Sequence, residues 1–203
     1  MIAGSGIVHS ERTDPSLRST GGLMHGMQAW AALPQEVEET TPAFAHHKAE
    51  ELPEMSEHGV WARLIAGSAY GLNNQVKAFS PLFYLHVELA DGARIALPAE
   101  HPERAAYVVS GSVQHEGVQS AAGQLLVFSN GGEPAIAAVG GPARVMLLGG
   151  ASIGPRFIWW NLVSSRQERI EQAKADWKAR RMPLPPDDST EFIPLPEEPS
   201  HPA

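Results

Sequence analysis

The pattern that decides the fold lies in FYLHVELADGARIAL, residues 83–97. Apolar residues occupy every second position of its first half, which is the period of a half-buried β-strand. Asp91-Gly92 then supplies a strong signal for a tight turn between antiparallel strands. We expect residues 94–97 to form the strand that returns beside the first.

Short segments of the same kind surround this predicted hairpin between residues 58 and 152, each bounded by Gly, Pro or Asn. The predicted strands cover residues 60–65, 105–109, 113–115, 125–128, 135–139 and 144–148. Many short strands at close spacing are typical of an all-β sandwich or barrel. The middle of the chain is therefore predicted to be a β-barrel domain.

The N-terminal part, residues 1–57, is less regular. Residues 7–11 and 24–33 show the alternation of short strands. Residues 34–57 are acidic and interrupted by prolines, and we interpret them as an ordered linker or a wrapping segment.

The C-terminal part, residues 153–203, changes character again. Ser165-Arg166-Gln167-Glu168 matches a capping box, which predicts a helix from this point. Ile170, Ala173 and Trp177 would share its apolar face. The residues after Pro183 are rich in Pro and Glu and predict an irregular tail.

Composition excludes several classes of function. The chain has 203 residues, 43% hydrophobic and 19% charged, which is globular. A net charge of −8 argues against a nucleic-acid-binding or anionic-membrane-binding surface. The absence of cysteine excludes disulfides, thiolate metal sites and a cysteine nucleophile. With no export signal and no long apolar run, we expect a soluble cytoplasmic protein.

His9 and Glu11 are the leading candidate site residues. On a strand, residues i and i+2 point to the same face, so the pair would present an imidazole and a carboxylate side by side. That is half of the nitrogen and oxygen ligand set that non-haem Fe(II) uses. The alternative is a hydrogen-bonded polar pair. His86 and Glu88 have the same spacing, and we interpret them as the solvent face of their strand, but spacing alone does not separate the two pairs.

Two other polar clusters are weaker candidates. His46 and His47 are adjacent, so on an extended chain they point to opposite sides, and a solvated linker is the better interpretation. Glu100, His101 and Glu103 precede a predicted strand and form either a ligand cluster or a plain loop.

Several of these segments closely resemble the pirin family. They are AGSGIVHSE (3–11), GMQAWAALP (26–34), LPAEH (97–101), AYVVSG (106–111) and IWWNLVSS (158–165). The resemblance runs from the first residues to about residue 195. Pirins are bicupins, so it implies a C-terminal cupin barrel (a double-stranded β-helix or jelly roll) over 58–152. Residues 1–57 would be the remnant of the N-terminal cupin and a linker, and residues 153–203 one C-terminal α-helix and a tail.

The resemblance also implies a metal site. In the family the first barrel binds one iron through three histidines and a glutamate, and His9 and Glu11 match two of these four ligands. The second His-x-Glu pair matches no ligand position. The His-x-His strand that supplies the other two ligands is absent here, and His25 or His46 are the possible substitutes. The resemblance therefore implies an Fe(II) cofactor, a flavonol or other enolic substrate, and activity like that of quercetin 2,3-dioxygenase. Glu11 would also take a proton from the substrate.

We expect this activity to be impaired in the present chain because half of the ligands are missing. The alternatives are a non-enzymatic regulatory or protein-binding module, acting in transcriptional or metabolic control, and an inactive fragment. The short N-terminus has three explanations: a wrongly assigned start, proteolysis, or a genuine short protein that borrows strands from a second copy. A barrel that lacks some of its strands exposes strand edges and apolar faces, which a second copy could cover. We therefore predict a homo-oligomer.

Overall fold

The computed structural model describes residues 1–197 and consists mainly of short β-strands. The strands are β1 (Glu54–Glu57), β2 (Val60–Ala69), β3 (Leu72–Asn73), β4 (Leu82–Leu89), β5 (Arg94–Ala96), β6 (Glu103–Ser110), β7 (Ser112–His115), β8 (Val118–Ala121), β9 (Leu125–Phe128), β10 (Ala135–Ala138), β11 (Ala143–Gly150), β12 (Phe157–Trp159) and β13 (Leu162–Ser164). The α-helices are α1 (Pro15–Arg18) and α2 (Gln167–Lys178), and single 3₁₀ turns lie at Gln35–Val37 and Ala49–Glu51.

The chain divides into two compact units. One, which we call the barrel unit, is His46–Ser152; the other, the flanking unit, combines Met1–Ala45 with the chain from Ile153 onward. Strand β1, which lies within the segment expected to be a linker, pairs with β2 inside the barrel unit. The part of the predicted tail beyond residue 197 lies outside the described residues.

Two antiparallel sheets build the barrel unit. A seven-stranded sheet has the order β1-β2-β4-β11-β6-β9, with β3 paired to β2, and a four-stranded sheet has the order β5-β10-β7-β8. The alternation predicted for β4 is confirmed, since Phe83, Leu85, Val87 and Leu89 are each at most 1% exposed. These side chains face the core, where burial of apolar surface is the main stabilising contribution.

The predicted hairpin after β4 is wrong. The Asp91-Gly92 turn forms, with the amide of Ala93 donating to the carbonyl of Ala90 at 2.9 Å. However, β5 does not return beside β4, because β2 and β11 already occupy both sides of that strand. Instead β5 pairs with β10 in the other sheet and buries Ile95 on the opposite wall of the core.

The predicted strands at residues 7–11 and 24–33 are also wrong. Neither segment has regular secondary structure, and residues 9–31 are all exposed. A strand needs a neighbour to satisfy its backbone groups, and none of the described strands pairs with these segments. The alternating sequence is present, but within residues 1–197 it has no sheet to join.

The C-terminal helix is confirmed, but its predicted capping box is not. Arg166 is the residue before the helix, and no side chain caps it. The hydroxyl of Ser165 donates instead to Oε1 of Glu38 at 2.8 Å. Ile170 and Ala173 on the helix are buried, as predicted for its apolar face.

Aromatic contacts continue from this helix. Trp177 stacks on Phe192, with ring centroids 4.9 Å apart, and meets Trp160 edge-on at 5.6 Å. Its indole nitrogen donates to the carbonyl of Ile193 at 2.9 Å. The irregular tail is thus held against the helix within the flanking unit.

None of the helices described between residues 1 and 197 is long and apolar enough to cross a membrane.

Candidate functional site

His9 and Glu11 lie on an exposed, irregular stretch of the flanking unit. Because this backbone is not a strand, the spacing i, i+2 no longer places the two side chains on one face. The neighbouring Arg12 ties the stretch to the tail: its Nε donates to Asp188 and its Nη1 to Glu191, each at 2.6 Å. The hydrogen bond from Arg12 is the main cause that lowers the pKa of Asp188.

The histidines considered as substitutes do not complete a ligand set. His25 and His46 are both exposed. His47 is half-buried, with Nδ1 3.7 Å from a carboxylate oxygen of Glu51. Across residues 1–197, no three His, Asp or Glu side chains are grouped closely enough to hold a metal ion. The described residues of one chain therefore do not fit the iron centre that the resemblance implies.

The second His-x-Glu pair is packed differently. Glu88 is exposed, as predicted, and accepts from Arg144 at 2.9 Å. His86 is only half-exposed and its ring meets Trp61 edge-on at 5.3 Å. Burial lowers the pKa of His86, and the Glu88 carboxylate, 3.7 Å from Nε2, only partly opposes this. The imidazole is therefore biased toward its neutral form.

The cluster before β6 is built into the barrel. His101 is 4% exposed, and its Nε2 lies 2.8 Å from the carbonyl oxygen of Ser68, to which it must donate. Glu100 accepts the backbone amide of Tyr70 at 3.0 Å. Glu103 lies at the exposed start of β6. Glu100 and His101 thus fix a turn of the chain, in agreement with the plain-loop interpretation.

Sequence reasoning missed Glu38, the most highly connected carboxylate of the flanking unit. It accepts from the hydroxyls of Ser164 (3.0 Å) and Ser165 (2.8 Å) and from the Ser165 amide (3.0 Å). Burial alone would raise the pKa of Glu38, but these hydrogen bonds and the charge of Arg156 lower it overall. No sequence signal could have identified it, because the two serines that donate to it lie more than 120 residues away.

The model of the pirin C-terminal cupin domain matches residues 84–183. A pirin-like protein of Caulobacter vibrioides is 56% identical over 198 residues, covering 97% of this chain and 68% of the relative. A Pseudomonas aeruginosa protein, provisionally named a quercetin 2,3-dioxygenase, is 33% identical over 180 residues, covering 88% of this chain and 55% of the relative.

Among solved structures, a quercetin 2,3-dioxygenase from Acinetobacter baumannii superposes with a TM-score of 0.73 over 86% of this chain and 59% of that one. At 23% identity this likeness concerns the fold alone. It confirms the predicted all-β cupin architecture. The chain spans between about half and two thirds of these proteins' lengths.

The extent of the Caulobacter match and the match of residues 84–183 to the pirin C-terminal cupin domain establish the family. This chain belongs to the pirin family.

Proposed function

We propose that this chain contributes to a quercetin 2,3-dioxygenase-type oxidoreductase whose metal centre needs ligands beyond those that one copy's described residues bring together. The relationship to the Pseudomonas protein supports the reaction class, with a flavonol or similar enolic substrate. The observation that supports the proposal is the exposure of His9 and Glu11, the two residues that the family resemblance assigns as ligands. No further ligands join them within residues 1–197.

In this proposal His9 and Glu11 are half of an Fe(II) site, and Glu11 also serves as the base for the substrate. Arg12 holds the adjacent backbone to Asp188, so the half-site is attached to a folded unit. Exposure leaves the pair accessible to ligands from a second copy or another polypeptide. A two-ligand site binds iron weakly, so the chain by itself has impaired activity.

Paramagnetic metal titration tests the half-site even at weak affinity. In the ¹⁵N-labelled full chain, Mn(II) or anaerobic Fe(II) should broaden the amide signals of residues 8–12 first. His9→Ala should abolish this broadening. His86→Ala, which disrupts the pair of identical spacing on β4, is the matched control and should leave it unchanged. Equal broadening in wild type and His9→Ala would overturn the assignment.

Oxygen uptake tests the activity. With quercetin and added Fe(II), the chain should take up oxygen slowly but above the metal-only blank, and His9→Ala should lose that uptake. No uptake above the blank in the wild-type chain would end the proposed activity. Uptake that is equally fast in the wild-type chain and in His9→Ala would contradict the proposed site while keeping the reaction class.

A protein-binding module is the second candidate, and exposed apolar side chains of the flanking unit favour it. Leu23 is 100%, Met24 84%, Trp30 57% and Phe44 77% exposed. Several large apolar side chains exposed in one unit make that unit a candidate for an interaction surface. The acidic net charge directs such a role to proteins and not to DNA. We propose a second copy of this chain as the occupant, which would also cover the unpaired stretch at 24–33.

Light scattering tests this self-association. A chain of 21.8 kDa should show about twice that mass at tens of micromolar concentration. Trp30→Glu should shift it toward the monomer. Val127→Glu, at a comparably exposed apolar position in the barrel unit, is the control and should not. A wild-type monomer under these conditions contradicts the proposal.

A further inference from the structure

The barrel unit contains a cleft that the proposed metal chemistry does not use. It has a volume of about 580 Å³ and lies where β7, β8 and β9 meet the loop at residues 129–134. Its walls combine apolar side chains, including Leu126 and Phe128, with His115 and Ser120. His115 follows the fully buried Val113 by two residues on β7, so it projects to the same inner side of the sheet.

His115 is held in a defined orientation and tautomer. Its Nδ1 lies 2.9 Å from the carbonyl oxygen of Ala135. A carbonyl can only accept, so in the neutral ring Nδ1 carries the proton and Nε2 carries a lone pair. The ring packs edge-on against Phe128 at 4.9 Å and 90°.

Nε2 accepts no hydrogen bond from any of residues 1–197. A carboxylate oxygen of Glu116 lies 3.9 Å from Nε2, which is too distant for a hydrogen bond. The side chain of His115 remains 25% exposed, so a ligand in the cleft can reach this acceptor.

A buried arginine holds the loop at the rim of the cleft in place. Arg104, 5% exposed, donates to the carbonyl oxygens of Gly131 (2.9 Å) and Gly132 (3.4 Å). Both glycines have positive φ values, 89° and 66°, which other residues adopt at a cost. A loop anchored in this way needs little rearrangement to bind, which favours affinity.

We propose that this cleft binds a small uncharged molecule with an apolar body and a hydroxyl donor, a phenol being the simplest example. The hydroxyl would donate to Nε2 of His115 while the body lies against Leu126 and Phe128. Apolar contact supplies most of the affinity and the hydrogen bond supplies selectivity. The carboxylates of Glu116 and Glu133 in the lining disfavour anionic ligands. The site uses none of the proposed metal ligands, so either proposal can fail without the other.

Imidazole ¹⁵N spectroscopy of the full chain, without metal, tests the site. Phenol should shift the His115 Nε2 resonance in the direction of an accepted hydrogen bond and leave Nδ1 protonated. Toluene, which has the same shape without the donor, should perturb Leu126 and Phe128 but not Nε2. Phenol should bind about fivefold more tightly than toluene, as one neutral hydrogen bond gives. Benzoate should bind more weakly than phenol.

Two variants and a control sharpen the test. His115→Phe keeps a ring against Phe128 and should remove the fivefold preference for phenol. Val118→Glu, at a 68% exposed position on the cleft that tolerates substitution, should weaken both phenol and toluene. His58→Phe, at a 91% exposed histidine of the same unit, should change neither. An unmoved Nε2 resonance, or equal affinities for phenol and toluene in wild type, would overturn the proposal.

Discussion

The barrel unit and the flanking unit are held together in different ways. In the barrel, strand after strand contributes inward side chains with no exposed surface, such as Leu64, Leu85 and Leu147. In the described part of the flanking unit, the buried apolar side chains are few, with Ile170 and Ala173 on the helix. Specific polar contacts contribute more to the stability of this unit, and Glu38 accepts three of these hydrogen bonds. Burial of many apolar side chains stabilises the first unit, and a few specific polar contacts stabilise the second.

Among the variants that distinguish the two units, Leu85→Ala should cause the largest loss of stability. Leu85 is 0% exposed at the centre of β4. Its truncation removes apolar burial and leaves a cavity, which should lower the free energy of unfolding by about 2–5 kcal/mol. Urea denaturation measures the loss, and hydrogen exchange should place it in the barrel strands.

Leu125→Ala is the matched control for that change. Leu125 is 54% exposed on β9 of the same sheet, so its truncation should cost about 0.5 kcal/mol or less. Equal losses in the two variants would mean that the assigned core is wrong.

An intermediate effect is expected from Glu38→Gln in the flanking unit. The amide cannot accept all the hydrogen bonds from Ser164 and Ser165, and the charge near Arg156 is lost. The cost should be about 2 kcal/mol, the scale of hydrogen bonds to a charged group. Faster amide exchange in α2, with unchanged exchange in the barrel, is the expected signature.

The same carboxylate gives a pH dependence. Because the folded pKa of Glu38 is lowered, its contribution is complete above the unfolded value near 4.3 and is lost as pH falls through the folded value. Glu38→Gln should flatten this acid loss. Glu39→Gln, at an exposed carboxylate paired with Arg166 and Arg169, should change stability by about 0.5 kcal/mol or less.

The smallest effect concerns His86 in the barrel. Burial lowers its folded pKa, so on acidification below the unfolded value near 6.5 the unfolded state takes up a proton that the folded state resists. Stability should therefore decline as pH falls from 7 toward 5. His86→Gln should reduce this slope in urea denaturation, whereas His58→Gln, at an exposed histidine, should not. An unchanged slope in His86→Gln would contradict the assignment.

The sequence predicts the structure correctly where a local pattern of apolar residues shows which face of a strand or helix is buried. The alternation along β4 predicts which face is buried, because successive strand residues point to opposite faces. The helix around Ile170 was found for the same reason at its own period. By contrast, the return of β5 beside β4 failed, since a turn signal states that the chain reverses but not which sheet it joins.

The candidate site shows the same division. His9 and Glu11 were singled out by spacing and by family resemblance, but their spacing has the expected meaning only on a strand. Ser165 was assigned to cap a helix, but a carboxylate more than 120 residues away takes its hydroxyl. His115 was missed because the sequence around it is ordinary, and its tautomer is set by a carbonyl 20 residues further along.

By itself, the sequence determined the all-β class, the apolar faces of the main strands, the C-terminal helix and the family, because each of these is recorded in local pattern or motif. Only the tertiary structure decided the assignment of strands to sheets, the burial of Glu38 and His86, and the cleft beside His115. These features depend on contacts between residues that are far apart in the chain. No local sequence pattern specifies which distant residue a given side chain will contact.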